Sequence, residues 1–188
     1  TDFSLYTASI QQFLRRSLRV NTLKISVPVL KKQLTDQGWV LEPIPWCKEG
    51  FYITGERRDI GNLPEHREGL LFIQSSVSMI PAVLLDPRPG EHVLDLCASP
   101  GGKTTQMAAM MQNTGQITAV DSNSFRCTIL KKNLARCGVT NTDVVRMPAE
   151  HYQGEQFDKI LLDPPCSASG TIKGETKHSQ QTLKEWNP

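Results

Sequence analysis

The fold is decided by one stretch of the chain, Cys97-Ala98-Ser99-Pro100-Gly101-Gly102-Lys103-Thr104. It follows an apolar run, His92 to Leu96, that is typical of a strand, and it precedes a segment with helical spacing. Backbone N–H groups and the positive end of the helix dipole converge at a strand–turn–helix junction, and the adjacent glycines let a ligand approach the backbone closely. The stretch therefore predicts a binding site for a small charged group. A tight structural turn without a ligand is the alternative.

Two later apolar runs also end at acidic residues. Gln116 to Val120 leads to Asp121, twenty positions after Gly101, and Phe157 to Leu162 leads to Asp163. A carboxylate at the first of these spacings can accept hydrogen bonds from ribose hydroxyls. We expect three neighbouring parallel strands to bring Gly101, Asp121 and Asp163 to one crevice. S-adenosylmethionine fits such a crevice, because it has an amino-acid tail and a ribose.

Strands and helices alternate along this part of the chain. We expect strands at His92–Leu96, Gln116–Val120, Asp143–Met147 and Phe157–Leu162, and helices at Lys103–Met111 and Ser124–Cys137. The order predicts an α/β fold with a Rossmann-like parallel sheet and helices on both faces. Four strands are few for such a sheet and leave the last one as an apolar edge, so we expect the sheet to be incomplete at its C-terminal side. The natural protein would then continue beyond Pro188, or a partner would cover the edge.

The preceding residues predict a small α+β domain over residues 1–68, with the cofactor-binding domain over residues 69–188. Arg19 to Ile25 alternates like a strand. Val29 to Gln37 has helical spacing, and Gly38 is well placed to end that helix.

Basic side chains are concentrated at the start of the chain. Residues 1–35 carry six of them and a single acid. Such a patch can contact the phosphates of RNA, and a solvated surface is the alternative. The candidate RNA-binding residues are Arg15, Arg16, Arg19 and Lys24.

The composition of the chain excludes several classes of protein and site. The formal net charge of +2 is too small to indicate nucleic-acid binding by itself, and no apolar run approaches the roughly 20 residues that span a bilayer. The five cysteines lack CxxC spacing, so neither a zinc site nor a disulfide framework is indicated. We expect a monomer in the reducing cytoplasm, without a membrane partner or a metal.

The glycine turn partly matches a phosphate-binding loop. The pattern GxxxxGK[ST] fits at Gly102, Lys103 and Thr104, but Cys97 replaces its first glycine, which weakens a nucleotide-triphosphatase interpretation. Lys103 can hold either a substrate phosphate or the cofactor carboxylate, and an ordinary lysine in a first helical turn is the alternative.

The stretch Asp163-Pro164-Pro165-Cys166 combines a carboxylate and a thiol at a strand end. Two prolines fix the backbone there. A carboxylate can hydrogen-bond the polar edge of an extruded base, and a thiolate can attack carbon. Asp163 and Cys166, together with Lys103, are therefore the candidate catalytic residues.

At these residues the chain resembles the RNA cytosine-5 methyltransferases of the Sun/Nol family, most of all the bacterial enzymes that act on small-subunit ribosomal RNA. The likeness covers nearly the whole chain. It is carried by Asp95 to Thr104 (with Ser99 where alanine is usual), Asp163 to Ser167, Arg16 to Lys24, Pro45-Trp46-Cys47, and Gln74 to Met79.

The resemblance implies S-adenosylmethionine-dependent methylation of cytosine C5 in ribosomal RNA. Residues Cys97 through Lys103 would line the methionine end of the cofactor, Asp121 would bind its ribose, and Asp163 would lie between cofactor and base. In the family reaction a thiolate adds to cytosine C6, C5 takes the methyl group, and loss of the C5 proton expels the thiol.

Two departures from the family pattern matter. Pro148 stands where the family has an adenine-contacting aspartate, and Glu150 is the nearby substitute. The family nucleophile lies in a Thr-Cys motif after the next strand, and the chain has no such motif. Cys166 matches the cysteine that assists product release. We therefore expect cofactor binding with impaired turnover.

Two other functions stay open. Amino-group methyltransferases carry Asp-Pro-Pro followed by an aromatic residue, and Cys166 in that place counts against this class. A catalytically silent RNA-binding protein would instead use the basic segment Arg15 to Lys32 as its working surface.

Overall fold

The N-terminal part of the protein is built on an antiparallel sheet of four short strands. The computed structural model describes residues 15–57, 59–154 and 156–165, and residues Arg16–Asp163 form one compact unit. The sheet has the order β2-β3-β1-β4. Its strands are β1 (Ser17–Val20), β2 (Val40–Ile44), β3 (Cys47–Thr54) and β4 (Leu71–Ile73). The last of them lies just after the domain boundary expected at residue 68.

Helix α1 (Val27–Asp36) covers this sheet. Proline at its start suits a first turn, and Leu30 and Leu34, one turn apart, are both fully buried in the core with Leu18 and Phe51. Gly38 follows the helix with a φ of +83°, which agrees with the expected stop.

The expected strand from Arg19 to Ile25 is wrong after Val20. The Asn21 carbonyl accepts hydrogen bonds from the N–H groups of Lys24 and Ile25, which makes a turn. The Asn21 side chain donates to the carbonyls of Gly69 (2.8 Å) and Cys137 (2.7 Å). These distant contacts override the local alternation of apolar residues.

The second sheet is parallel and has the order β7-β6-β5-β8. Its strands are β5 (His92–Asp95), β6 (Gln116–Asp121), β7 (Thr142–Arg146) and β8 (Lys159–Leu161). They confirm the four expected strands within a few residues. Between them lie α4 (Gly102–Met110) and α5 (Ser124–Cys137), preceded in the chain by the short helices α2 (Pro64–Arg67) and α3 (Ile80–Leu85).

Helix α5 has the expected bounds because its ends are encoded locally. The Asn123 side chain accepts hydrogen bonds from the N–H groups of Phe125 and Arg126, and Gly138 ends the helix with a φ of +72°.

Helices α3, α4 and α5 pack against one face of the parallel sheet. Val93, Ile117 and Leu161 of that face pack with Ala82 of α3 and Met107 of α4, and Ala119 packs with Leu130 of α5. Side chains alternate along a strand, so Leu94 and Ile160 point to the other face. The expectation of helices on both faces is therefore not met within the described residues.

Strand β8 lies at the edge of the sheet, as the sequence predicted. Ile160 and Leu162 are more than half exposed there. In the part of the chain that the structure describes, no helix is both long and apolar enough to cross a bilayer.

Candidate functional site

Three strand ends meet at the carboxyl edge of the parallel sheet. Asp121 ends β6, Gly101 follows β5, and Asp163 follows β8. Because the sheet order is β6-β5-β8, the middle strand carries the glycine turn and each neighbour carries an acid. The three residues therefore lie at one edge of the sheet, as the sequence predicted, and the region between these strand ends, the crevice, is at the edge where open α/β sheets bind ligands.

The glycine turn is held by the elements on both sides of it. Leu96 donates its N–H to the carbonyl of Leu161, and Ala98 donates its N–H to the carbonyl of Val120. Gly101 is the N-cap of α4 and has a φ of +101°, a backbone conformation that glycine adopts without strain. A Cβ at this position would lie 2.9 Å from Cδ1 of the buried Leu130. The turn therefore requires glycine, and it aims the start of α4 at the crevice.

The Asp121 carboxylate is buried against the turn. It accepts hydrogen bonds from the backbone N–H groups of Ser99 (3.3 Å) and Asn123 (3.1 Å). Arg126 donates from Nε to both carboxylate oxygens and from Nη2 to the Ser99 carbonyl, while the Ser99 hydroxyl donates to the Arg126 carbonyl. The turn, β6 and α5 are thus joined through one carboxylate. No motif in the sequence pointed to Arg126.

On the other side of the turn, Lys103 forms an ion pair with Asp163. Lys103 Nζ lies 2.5 Å from Asp163 Oδ2. The lysine side chain is one-fifth exposed and that of the aspartate about half exposed, so the pair lies at the mouth of the crevice. Lys103 neutralises Asp163 and holds its carboxylate in place.

Asp95 lies beneath this pair at the end of β5. Its side chain is buried and accepts a hydrogen bond from the Thr104 hydroxyl at 2.7 Å. Burial raises the pKa of Asp95 to about 6, although Thr104 and the Lys103 ammonium act against this rise. In the sequence, Asp95 stands out only as the first residue of the stretch Asp95 to Thr104 that carries the family resemblance.

Cys97 is half-buried, and its thiol is not poised as a nucleophile. Burial, followed by the nearby carboxylates of Asp121 and Asp95, raises the thiol pKa, which keeps the sulfur protonated. Cys166, the candidate catalytic thiol, lies outside the described residues. Glu150 is exposed in the short turn that follows β7.

The candidate RNA-binding residues do not form one exposed patch. Arg19 is only 2% exposed, so its assignment to RNA phosphates is wrong. Lys24 is exposed, but its ammonium donates to the carbonyls of Glu68 and Arg136, each at 2.7 Å. Arg16 donates to the carbonyl of Arg57, and Arg15 is exposed. The distribution of charge along the sequence did not show which of these cations would be buried or would bind backbone carbonyls in the folded protein.

The fold and the crevice define the Rossmann-like methyltransferase class. The glycine turn follows the first strand of the parallel sheet, and a buried carboxylate ends the second. The chain belongs to the 16S rRNA methyltransferase RsmB/F family, whose sequence pattern matches residues 82–185. The pattern of the N-terminal domain of 16S rRNA methyltransferase RsmF matches residues 1–76. The resemblance drawn from the motifs is confirmed.

Individual relatives agree with this family. Ribosomal RNA small subunit methyltransferase F of Vibrio atlanticus is 42% identical over 98% of this chain and 40% of its own length. The enzyme of the same name from Shewanella oneidensis is 40% identical over 97% of this chain and 39% of its own length. The crystal structure of a methyltransferase homolog from Pyrococcus horikoshii matches with a TM-score of 0.83 and 43% identity, over 95% of this chain and 59% of that one. The chain thus spans about 40% of the length of these curated relatives.

Proposed function

We propose that the protein binds S-adenosylmethionine in the crevice and serves methyl transfer to C5 of a cytosine in 16S ribosomal RNA. The observation that carries the proposal is the adjacency of the three strand ends that bear Gly101, Asp121 and Asp163. Membership in the RsmB/F family supports the choice of cofactor and substrate. An RNA substrate of this kind would place the protein in the cytoplasm, and we propose that it acts there as a monomer.

The residues of the crevice fit this cofactor. The first N–H groups of α4 lack partners within the helix, and they suit the carboxylate of the amino-acid tail. Residues Cys97 through Lys103 would line that tail. Asp121, at the end of the next strand, would accept from the ribose hydroxyls. For this, the partly exposed Arg126 side chain must leave one lone pair of Asp121 accessible.

Asp163 is the group that would hold the base. Its carboxylate is about half exposed and anchored by Lys103, so it can accept hydrogen bonds from the polar edge of an extruded cytosine. Bound S-adenosylmethionine supplies an electrophilic methyl group. Cys166 follows Asp163 after two prolines, and it would take the C5 proton or assist release of the product.

Attack on C6 needs a further thiol in the family reaction, and the 188 residues contain no Thr-Cys pair. We therefore propose that this chain binds the cofactor with slow or absent turnover. The RNA-binding alternative has less support. In the basic segment it would use, Arg19 is buried and the ammonium of Lys24 donates to backbone carbonyls of the protein itself.

The experiment is a methyl-transfer assay with tritiated S-adenosylmethionine and unmodified 16S ribosomal RNA, followed by nucleoside analysis. We expect any label to appear as 5-methylcytidine and at a low rate. Label on an exocyclic amine would indicate an amino-group methyltransferase instead. Rapid formation of 5-methylcytidine would show that turnover is not impaired, and a covalent RNA–protein adduct that forms with the wild type and is absent in Cys166→Ser would assign the nucleophile to Cys166.

A further inference from the structure

Arg19 is a buried cation behind the glycine turn. Its side chain comes from β1 of the antiparallel sheet and reaches the first turn of α4. Its Nη2 donates to the Thr105 hydroxyl at 2.9 Å and to the Gly102 carbonyl at 3.3 Å, and its Nε donates to the Gln74 side-chain carbonyl at 3.4 Å. The Phe72 ring lies 6.0 Å from its guanidinium carbon.

All of these acceptors are neutral. Among the described residues, no carboxylate forms an ion pair with Arg19, and its strongest polar contacts are a hydroxyl, a backbone carbonyl and an amide. Burial lowers the pKa of Arg19 to about 10, so the side chain stays protonated at neutral pH. A buried charge without a direct ion-pair partner is costly, because its desolvation is only partly offset by more distant charges such as Glu49. A neutral side chain of similar shape would be cheaper if packing were its whole role.

The position of the charge indicates what it can act on. Gly102 is the first residue of α4, so the guanidinium adds positive potential at the end of the helix where the dipole is already positive. Two other cations contact this turn, and both are paired with a carboxylate: Lys103 with Asp163 at 2.5 Å, and Arg126 with Asp121 at 3.1 Å. Among the described residues Arg19 forms no ion pair, and the Glu49 carboxylate interacts with it only beyond ion-pair distance. An anion bound at the turn would interact with this charge through a medium of low polarity.

We propose that Arg19 is a positioning residue that acts through the first turn of α4 and raises the affinity of the turn for the carboxylate of the cofactor's amino-acid tail. The inference rests on the proposed function, since it takes the turn to be the site of that carboxylate. It links the antiparallel sheet to cofactor affinity, although Arg19 itself does not touch the cofactor.

The test compares two ligands by isothermal titration calorimetry. S-adenosylhomocysteine carries the amino-acid carboxylate, and 5′-methylthioadenosine has the same nucleoside without it. The variants are Arg19→Gln, which removes the charge, and Arg19→citrulline, a neutral isostere that keeps hydrogen-bond donors and the packing. Thr105→Val is the matched control, because it removes one acceptor of Arg19 and keeps the charge.

We expect both neutral variants to weaken the binding of S-adenosylhomocysteine about tenfold, while the affinity for 5′-methylthioadenosine changes by less than about twofold. Thr105→Val should keep the wild-type ratio of the two affinities. Equal weakening of both ligands in the citrulline variant would overturn the proposal and leave Arg19 a structural role only, as would unchanged binding of both. If the wild-type chain binds neither ligand, the proposed function itself has failed, which is a distinct outcome.

Discussion

Arg126 donates from Nε to both carboxylate oxygens of Asp121, at 3.1 and 3.3 Å. The carboxylate is 5% exposed and the arginine side chain 46% exposed. The guanidinium of Arg126 therefore neutralises the buried Asp121 carboxylate, while part of the arginine side chain remains exposed to solvent. It also fixes the glycine turn, because the same guanidinium binds the Ser99 carbonyl at 2.8 Å.

Removing this arginine should destabilise the protein. Arg126→Ala leaves the Asp121 carboxylate buried with only two backbone donors, and we expect the free energy of unfolding to fall by about 1 kcal/mol, a value reduced by the exposure of the arginine. Urea denaturation measures the change. Lys131→Ala, an exposed position on the same helix, is the control and should change stability by less than about 0.5 kcal/mol. Equal stability of the two variants would show that the Asp121 carboxylate does not need the arginine.

Asp95 should make stability depend on pH. Its pKa is raised to about 6 in the folded protein, so the folded state holds a proton that the unfolded state releases near pH 4. The contribution of Asp95 to the free energy of unfolding is therefore greatest below pH 4, and this contribution is lost as pH rises through about 6.

The variant Asp95→Asn removes this titration. We expect it to raise the free energy of unfolding at pH 7.5 by up to about 3 kcal/mol, with a much smaller change at pH 4.5. Urea denaturation of both proteins at the two pH values is the measurement. A difference between variant and wild type that does not depend on pH would contradict the raised pKa of Asp95.

A side chain at Gly101 should destabilise the protein. Its φ of +101° strains any other residue, and a Cβ would lie 2.9 Å from the buried Leu130. Gly90 has a comparable φ of +89° and nothing within 4 Å of the added Cβ, which makes it a matched control. We expect Gly90→Ala to cost about 1 kcal/mol and Gly101→Ala at least about 1 kcal/mol more. Thermal unfolding separates the two effects, and equal losses would indicate that Leu130 moves aside.

Much of the fold could be predicted because its signals are local. The apolar runs that became β5 and β6 stand between turn residues, and the Asn123 cap and Gly138 define helix α5 within its own sequence. The crevice followed from the same information, since acids at the ends of parallel strands must share one edge of the sheet.

What escaped prediction depends on contacts between distant parts of the chain. Arg19 is buried because Gln74 and Thr105, 55 and 86 positions away, supply its acceptors. The turn after Val20 forms because Asn21 binds carbonyls 48 and 116 positions away. Composition counts charges without showing which ones the packed protein encloses.

Binding of S-adenosylmethionine in the crevice between the three strand ends can be tested by calorimetric titration of the chain with S-adenosylhomocysteine. We predict binding of one ligand per chain, weakened about tenfold or more by Asp121→Ala, because the ribose loses its charged acceptor. Asp143→Ala, an exposed acid on the neighbouring strand β7, should bind like the wild type. Absence of measurable binding by the folded wild-type chain, or equal binding by the Asp121 variant, would show that this crevice is not the cofactor site.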